Sequence, residues 1–483
     1  MSNSPDLLAD NAPGLTIAPG LTIDGQIVTT SAVNRVINPA TGEVFAEVPD
    51  AGVEHLDAAV NAARRAAPSW RDMGIAARQD IVRNVVELVR TNIDELAMLV
   101  TLEQGKPLAK AAGEIDSGLR GLGRYASTDI PVEIYRDNSD EYIEIHREPV
   151  GVVGAITAWN YPLLLALWKI GPALVTGNTI ILKPSPLTPV ATLRLGELLQ
   201  QALPAGVLQI LSGGDDLGRA MTAHPGINKI TFTGSERAGK SIMSGAGPTL
   251  KRLTLELGGN DAGIVLDDVD VAAMADDLYW AALSNCGAVC AGLKRLYVPV
   301  RLASAIEEAL AEVAKTIVVG NGLDEGVDMG PIQNLAQLEK VRGYVDDAVH
   351  RGADVYFRGE IPDGPGYFHP VTLVRGLDDT TPLVKEEQFG PVLPILTYTD
   401  IDDAVERANN SDLGLGASVW STDEQRAVQV ANRLEAGTAW VNQHPVLTSD
   451  VPFGGIKQSG LGVEQSVHGI LEYTNFRVLR VKR

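Results

Sequence analysis

From Val152 to Ser244 the sequence switches repeatedly between short β-branched, aliphatic runs and longer runs of helical period, a pattern that few folds accommodate. Val152–Thr157 reads as a strand, Pro162–Val175 as a helix, Thr179–Leu182 as a strand and Thr188–Gln201 as a helix. Val207–Leu211 and Lys229–Phe232 follow as strands, and Ser235–Ser244 as a helix. Strands joined through helices run parallel, and such a sheet is covered by helices on both faces. A second run of the same kind occupies roughly Leu257–Gln443. Its helices include Val271–Leu283 and Asp423–Leu434, and its strands Arg295–Val298 and Leu393–Tyr398. The fold class is therefore α/β.

Other segments depart from this alternation. Residues 52–116 carry apolar positions three and four apart, the mark of helices. Val132–Glu148 alternates around Asp137-Asn138-Ser139-Asp140, which predicts a hairpin of long strands, and Thr474–Val481 reads as a last strand. A chain of 483 residues exceeds one compact core and divides into two or three domains. No low-complexity linker separates them, so an active site between closely apposed domains is expected. A tandem repeat, Ala12–Ile17 followed by Ala18–Ile23, reads as a loose N-terminal arm without function.

The 61 acidic and 40 basic residues leave a formal charge of −21, which repels nucleic-acid phosphates and anionic lipid. The apolar stretch Tyr161–Leu182 is interrupted by Lys169, Gly171, Pro172 and Gly177, so no membrane span is expected. No Lys or Arg precedes Arg35, and the positive start of a secretory signal is missing. With few thiols as well, a cytoplasmic location is expected.

The chain's two cysteines, Cys286 and Cys290, lie four residues apart. Two thiols make neither a disulfide framework nor a four-ligand zinc site, and the spacing is not that of a C-x-x-C redox centre. What remains is a nucleophile or a pair of ordinary buried side chains. Thr231–Gly239 follows a strand and opens a helix, where free N–H groups suit a phosphate, although a plain strand-to-helix turn explains it equally well. Glu256 ends a strand before Gly258-Gly259. It suits a general base of raised pKa, and a solvated polar position on an alternating strand accounts for it too. Asn160 precedes Pro162 at a helix start, as a turn residue or as a neutral donor to an oxyanion.

Seven motifs occur in order: Ala158-Trp159-Asn160-Tyr161-Pro162-Leu163, Lys183-Pro184-Ser185, Phe232-Thr233-Gly234-Ser235, Leu255-Glu256-Leu257-Gly258-Gly259, Cys290, Glu387-Gln388-Phe389-Gly390-Pro391 and Pro452–Gly460. Together they resemble the aldehyde dehydrogenase superfamily, from about Asn38 to the end. The resemblance implies a Rossmann-like cofactor domain over residues 1–130 and 150–256 and a catalytic domain over 257–445. Oligomerisation strands at 131–149 and 470–483, and a return segment at 446–469, complete it. It implies oxidation of an aldehyde to its acid through a cysteine thioester, with NAD or NADP as cofactor and no metal, in a homodimer or homotetramer.

The family nucleophile stands 34 positions after the motif glutamate, which selects Cys290 and not Cys286. By the same matching, Asn160 is the oxyanion donor, Glu256 the general base and Glu464 a second glutamate that relays its proton. Thr157, Trp159, Lys183, Ser185, Gly213, Gly234, Ser235, Gly258, Glu387 and Phe389 are the implied cofactor contacts. Pro186 stands where the family often has a ribose-binding Glu, which opens the site to NADP while NAD stays moderately preferred. Ala288 replaces a usual Gln and Val463 a frequent Arg. Trp168, Ala288, Val289 and 443–451, with His444 as a packing residue, suggest pocket walls for an apolar or aromatic aldehyde. Two alternatives stand beside this reading: a CoA-acylating semialdehyde dehydrogenase, against which Glu256 argues, and a non-catalytic binding protein on the same scaffold. Cys286 is a small buried filler or, alternatively, a thiol that resolves oxidised Cys290.

Overall fold

In the computed structural model, which describes residues 19–483, two large sheets, a three-stranded sheet and two two-stranded ribbons organise the chain. The first has eight strands in the order Gln26–Val28, Leu21–Ile23, Leu208–Ile210, Thr179–Lys183, Val152–Ile156, Lys229–Thr233, Arg252–Glu256, Gly460–Leu461. Its five central strands are parallel, and antiparallel strands close both edges. The strands Val152–Ile156, Thr179–Lys183 and Lys229–Thr233 are buried throughout, as a parallel sheet under two helical layers requires. Helix Pro162–Val175 has proline in its first turn, where a missing N–H costs nothing, and is buried except at Leu164.

The second sheet runs Asp354–Arg358, Thr372–Arg375, Val392–Tyr398, Leu293–Pro299, Asp261–Val265, Gly416–Trp420, Thr438–Val441. It is parallel apart from its first strand. Two apolar clusters cover its faces, and a larger one surrounds the first sheet. The expected hairpin forms as Glu133–Asp137 and Glu141–Pro149, and Thr474–Lys482 pairs with it as a third antiparallel strand. Asn138 closes its turn by accepting the amides of Asp140 and Glu141.

The repeat behaves differently from expectation. Its first copy lies outside the described residues, but the end of the second, Leu21–Ile23, is a fully buried strand of the first sheet and not a loose arm. Helix Asp215–Ala223 stands in a stretch where the sequence pattern predicts no element. It buries only Leu217, Met221 and Thr222, too few positions to register as a helical period.

Candidate active site

Cys290 sits in the turn between helix Val271–Leu283 and strand Leu293–Pro299. The backbone leaves helical geometry at Asn285 and Cys286, with left-handed φ of 51° and 56°, and Gly287 continues it at 71°. A Cβ on Gly287 would collide with the carbonyl oxygen of Gly390, so only glycine fits there. Non-glycine residues held at positive φ cost free energy and tend to gather where a reacting side chain must be aimed. Phe389, on the opposite wall, is another, with φ 49°.

The Cys290 side chain opens onto a cavity of 170 Å³ whose walls include Trp159, Asn160, Ser235, Gly258, Glu387 and Phe389. Trp159 and Phe389 meet edge to face, ring centroids 5.3 Å apart. Ala158, Trp159, Thr233, Gly234 and Ser235 also wall a trough of 870 Å³, which continues past Thr157, Lys183 and Ser185 to Asp215, Arg219 and Arg237. Ser235 caps helix Glu236–Ala246 by accepting the Ala238 amide, and the helix N-terminus faces the trough with its remaining N–H groups free for an anion. Burial pushes Lys183 down to about 8, opposed by Asp215 and Asp50. Glu387 accepts the Gly259 amide at 3.1 Å. A Cβ on Gly258 would stand 2.6 Å from a Glu387 oxygen, so the glycine lets that carboxylate approach the backbone closely. Thr157 Oγ1 is buried without a partner at the strand end. The trough, with a helix N-terminus and Lys183 on its wall, adjoins the cavity that carries the Glu387 carboxylate and the Trp159 and Phe389 rings, and the two together fit a dinucleotide. Gly213 does not line it; the Leu217 side chain packs where its Cβ would be.

Glu256 is not a solvated strand position. It is 3% exposed, and neither carboxyl oxygen has a hydrogen-bond partner. Burial holds its pKa well above the usual carboxylate range, the Glu464 charge adds to this, and Lys169 opposes it. Its carboxyl lies toward Gly454, behind the cavity wall. Glu464 accepts from the Lys169 ammonium at 2.5 Å, a fully enclosed ion pair, and Lys169 also donates to Thr233 Oγ1. In the sequence, Lys169 stands out only as a lone lysine that interrupts an otherwise apolar helix.

Asn160 donates from Nδ2 to the Ala288 carbonyl at 3.0 Å, leaving its second amide hydrogen free beside Cys290. Its own carbonyl accepts from Lys106 and Asn285, so the turn is held from both sides. Burial pushes the Cys290 thiol up to about 12, with the charges of Glu256, Glu387 and Asp261 adding to the effect. Cys290 also packs against an apolar cluster that includes Tyr161, Leu164, Leu165, Trp168, Trp440 and Phe453. Tyr161 and Leu164 also wall a cavity of 340 Å³ that includes Trp280 and Cys286. The two thiols thus open onto different cavities, and Cys286 belongs to the core of the second sheet. His444 is buried, 3.6 Å from Asp261 and stacked edge-on to Trp440.

The profile of the aldehyde dehydrogenase family matches residues 27–479. Phenylacetaldehyde dehydrogenase of Pseudomonas fluorescens is 39% identical over 96% of each chain. The mitochondrial succinate-semialdehyde dehydrogenase of Arabidopsis thaliana is 38% identical over 92% of this chain and 85% of its own. Among solved structures, the NAD+ complex of an aldehyde dehydrogenase from Bacillus cereus superposes with a TM-score of 0.95 at 35% identity, covering 100% of this chain and 99% of the other.

Proposed function

The chain belongs to the aldehyde dehydrogenase family and oxidises aldehydes to carboxylic acids with a nicotinamide cofactor, and from that premise we propose the residues that carry the reaction. Cys290 is the nucleophile. Its thiolate adds to the aldehyde carbon, and the carbonyl π pair moves onto oxygen. The free Asn160 N–H and the Cys290 backbone N–H hold that oxyanion. Collapse restores the C=O bond, expels hydride from carbon and leaves a thioester on Cys290. The bound nicotinamide supplies the hydride acceptor.

Glu256 turns toward the acyl carbon and takes a proton from water as the water attacks. The C–S bond breaks, the thiolate departs, and the acid is released. Glu464, paired with Lys169, receives the proton from Glu256. The observation that carries this reading is an accessible thiol on the dinucleotide cavity with an unpartnered, buried carboxyl in charge contact behind it. A retained water-activating carboxyl disfavours CoA acylation, and a non-catalytic scaffold has no use for either group. Asn160→Ala is expected to lower turnover by about 10²–10³-fold in steady-state assays. A loss of less than a few-fold would remove Asn160 from the oxyanion site.

NAD is moderately preferred and NADP accepted. Pro186 offers no carboxylate to the adenosine ribose, but Asp215 stands on the same trough wall and acts on Lys183. Asp215 repels a 2′-phosphate, while Arg219 is engaged by Asp216 at 2.6 Å. Asp215→Asn should therefore shift the ratio of kcat/KM for NAD over NADP toward NADP, by about tenfold for each 1.4 kcal/mol of repulsion removed. An unchanged ratio would refute the role.

The apolar cluster around Cys290 supports an apolar or aromatic aldehyde, its tail directed past Tyr161 and Leu164. The small sheet supports a homodimer or homotetramer, since Tyr135, Phe476 and Val478 are 60%, 64% and 59% exposed on it. Residues 133–149 and 474–482 form that oligomerisation element, and the two large sheets form the cofactor and catalytic domains with the site between them. No helix among the described residues is long and apolar enough to cross a membrane, and a cytoplasmic location fits two free thiols.

A further inference from the structure

The nucleophile proposed above lies among carboxylates. Glu256 comes from the strand before Gly258, Asp261 from the strand after it, and Glu387 from the segment following residues 382–385, and all three disfavour its anion. Tyr161 faces it from the start of helix Pro162–Val175. A thiolate there needs a cation. Lys169 acts on Glu256, Lys340 on Glu387, and Lys106 is engaged by Glu114 beneath the Tyr161 ring.

Lys294 is placed differently. It is 1% exposed, and its Nζ donates to the Gly287 carbonyl at 2.7 Å. The same Nζ lies 3.2 Å from where a Cβ would stand on Gly292 and 5.3 Å from the centroid of the Phe389 ring. Gly287 and Gly292 bracket Cys290, so the ammonium is enclosed by the backbone turn that carries the thiol. Its charge acts on Glu387, Asp261 and Cys290, and on His444. Its strand neighbours are the core residue Leu293 and the buried Arg295, whose guanidinium donates to the Asn260 and Ala408 carbonyls and is held away from Cys290. Burying an ammonium is unfavourable unless opposing charges and hydrogen bonds compensate it.

We propose that Lys294 is a positioning residue for Cys290, holding the 287–292 turn through the Gly287 carbonyl and supplying the positive charge that stabilises the thiolate against Asp261, Glu387 and Glu256. This rests on Cys290 being the nucleophile. Burial lowers the Lys294 pKa, and the charges of Glu387, Asp261 and Cys290 oppose that shift. Asp261, pushed up to about 7 by burial, is the counterweight: charged, it disfavours the thiolate and favours the ammonium.

The test is the pH dependence of Cys290 alkylation by iodoacetamide in the cofactor-free enzyme, in a Cys286→Ser background, with the modified peptide identified by mass spectrometry. Lys294→Met is expected to move the midpoint of the profile upward by about one pH unit or more, which lowers alkylation below the midpoint about tenfold. Lys294→Arg keeps the parental midpoint, and Asp261→Asn moves it downward. A merely structural loss would reduce the amplitude without moving the midpoint, and it would not send the two neutralising variants in opposite directions. An unmoved midpoint in Lys294→Met overturns the proposal. If that variant does not fold, an unmoved midpoint in Asp261→Asn overturns it, as does a Lys294→Arg profile displaced as far as charge removal would displace it. The premise is checked separately: aldehyde turnover that persists after Cys290→Ala defeats the nucleophile assignment itself, whatever Lys294 does.

Discussion

Replacing Cys290 with alanine is expected to lower aldehyde oxidation by at least about 10⁴-fold, because no other group on the cavity can form the thioester and removal of a covalent nucleophile is among the costliest single changes to an enzyme. Cys286 does not rescue it. Its thiol opens onto the neighbouring cavity of 340 Å³, and burial alone holds it up at about 12. Cofactor affinity should be nearly unchanged, since Cys290 lines only the adjoining 170 Å³ cavity and not the 870 Å³ trough. Measuring NAD+ binding by calorimetry alongside turnover separates the lost chemistry from a lost fold. A variant that kept a few per cent of parental activity would require a different nucleophile.

Glu256→Gln has the second large effect, and on a different step. Glutamine preserves shape but cannot take a proton from water, so steady-state turnover should fall by about 10²–10⁴-fold while the first turnover survives as a burst of reduced cofactor. The pH dependence carries the same signature. A base whose pKa is raised by burial and by Glu464 is increasingly protonated as pH falls. Deacylation in the parent enzyme therefore rises with pH through that elevated pKa and is lost below it, whereas in Glu256→Gln this limb disappears. Persistence of the limb would assign it to another group.

The fold class is legible in the sequence. Strand-helix alternation predicts the parallel sheet because crossover helices bury both its faces, whereas the preference for Cys290 over Cys286 is implied by the family resemblance and not by the spacing of the two thiols itself. Periodicity was blind where elements are short: the buried strand Leu21–Ile23 has three residues, and helix Asp215–Ala223 shows little apolar face. It was also blind to buried charge. Lys169 and Lys294 sit in segments whose pattern reads as core, and only three-dimensional packing pairs the first with Glu464 and lodges the second against the turn that carries Cys290. Alternation likewise assigned Glu256 an outward direction, but the strand on which it lies is covered on that side by the return of residues 453–464. Pattern reading assumes that a polar position faces water, and functional sites are where that assumption fails.

The central claim is that oxidation proceeds through a thioester on Cys290 that Glu256 then hydrolyses. It is tested most directly by mixing Glu256→Gln with NAD+ and an arylalkyl aldehyde, quenching in acid, and mapping the adduct by peptide mass spectrometry. An acyl group on the peptide at Cys290, near one per protomer and matched by an equal amount of NADH, is the result expected. NADH formation with no acyl group on that cysteine, or with the acyl group on Cys286, would contradict it.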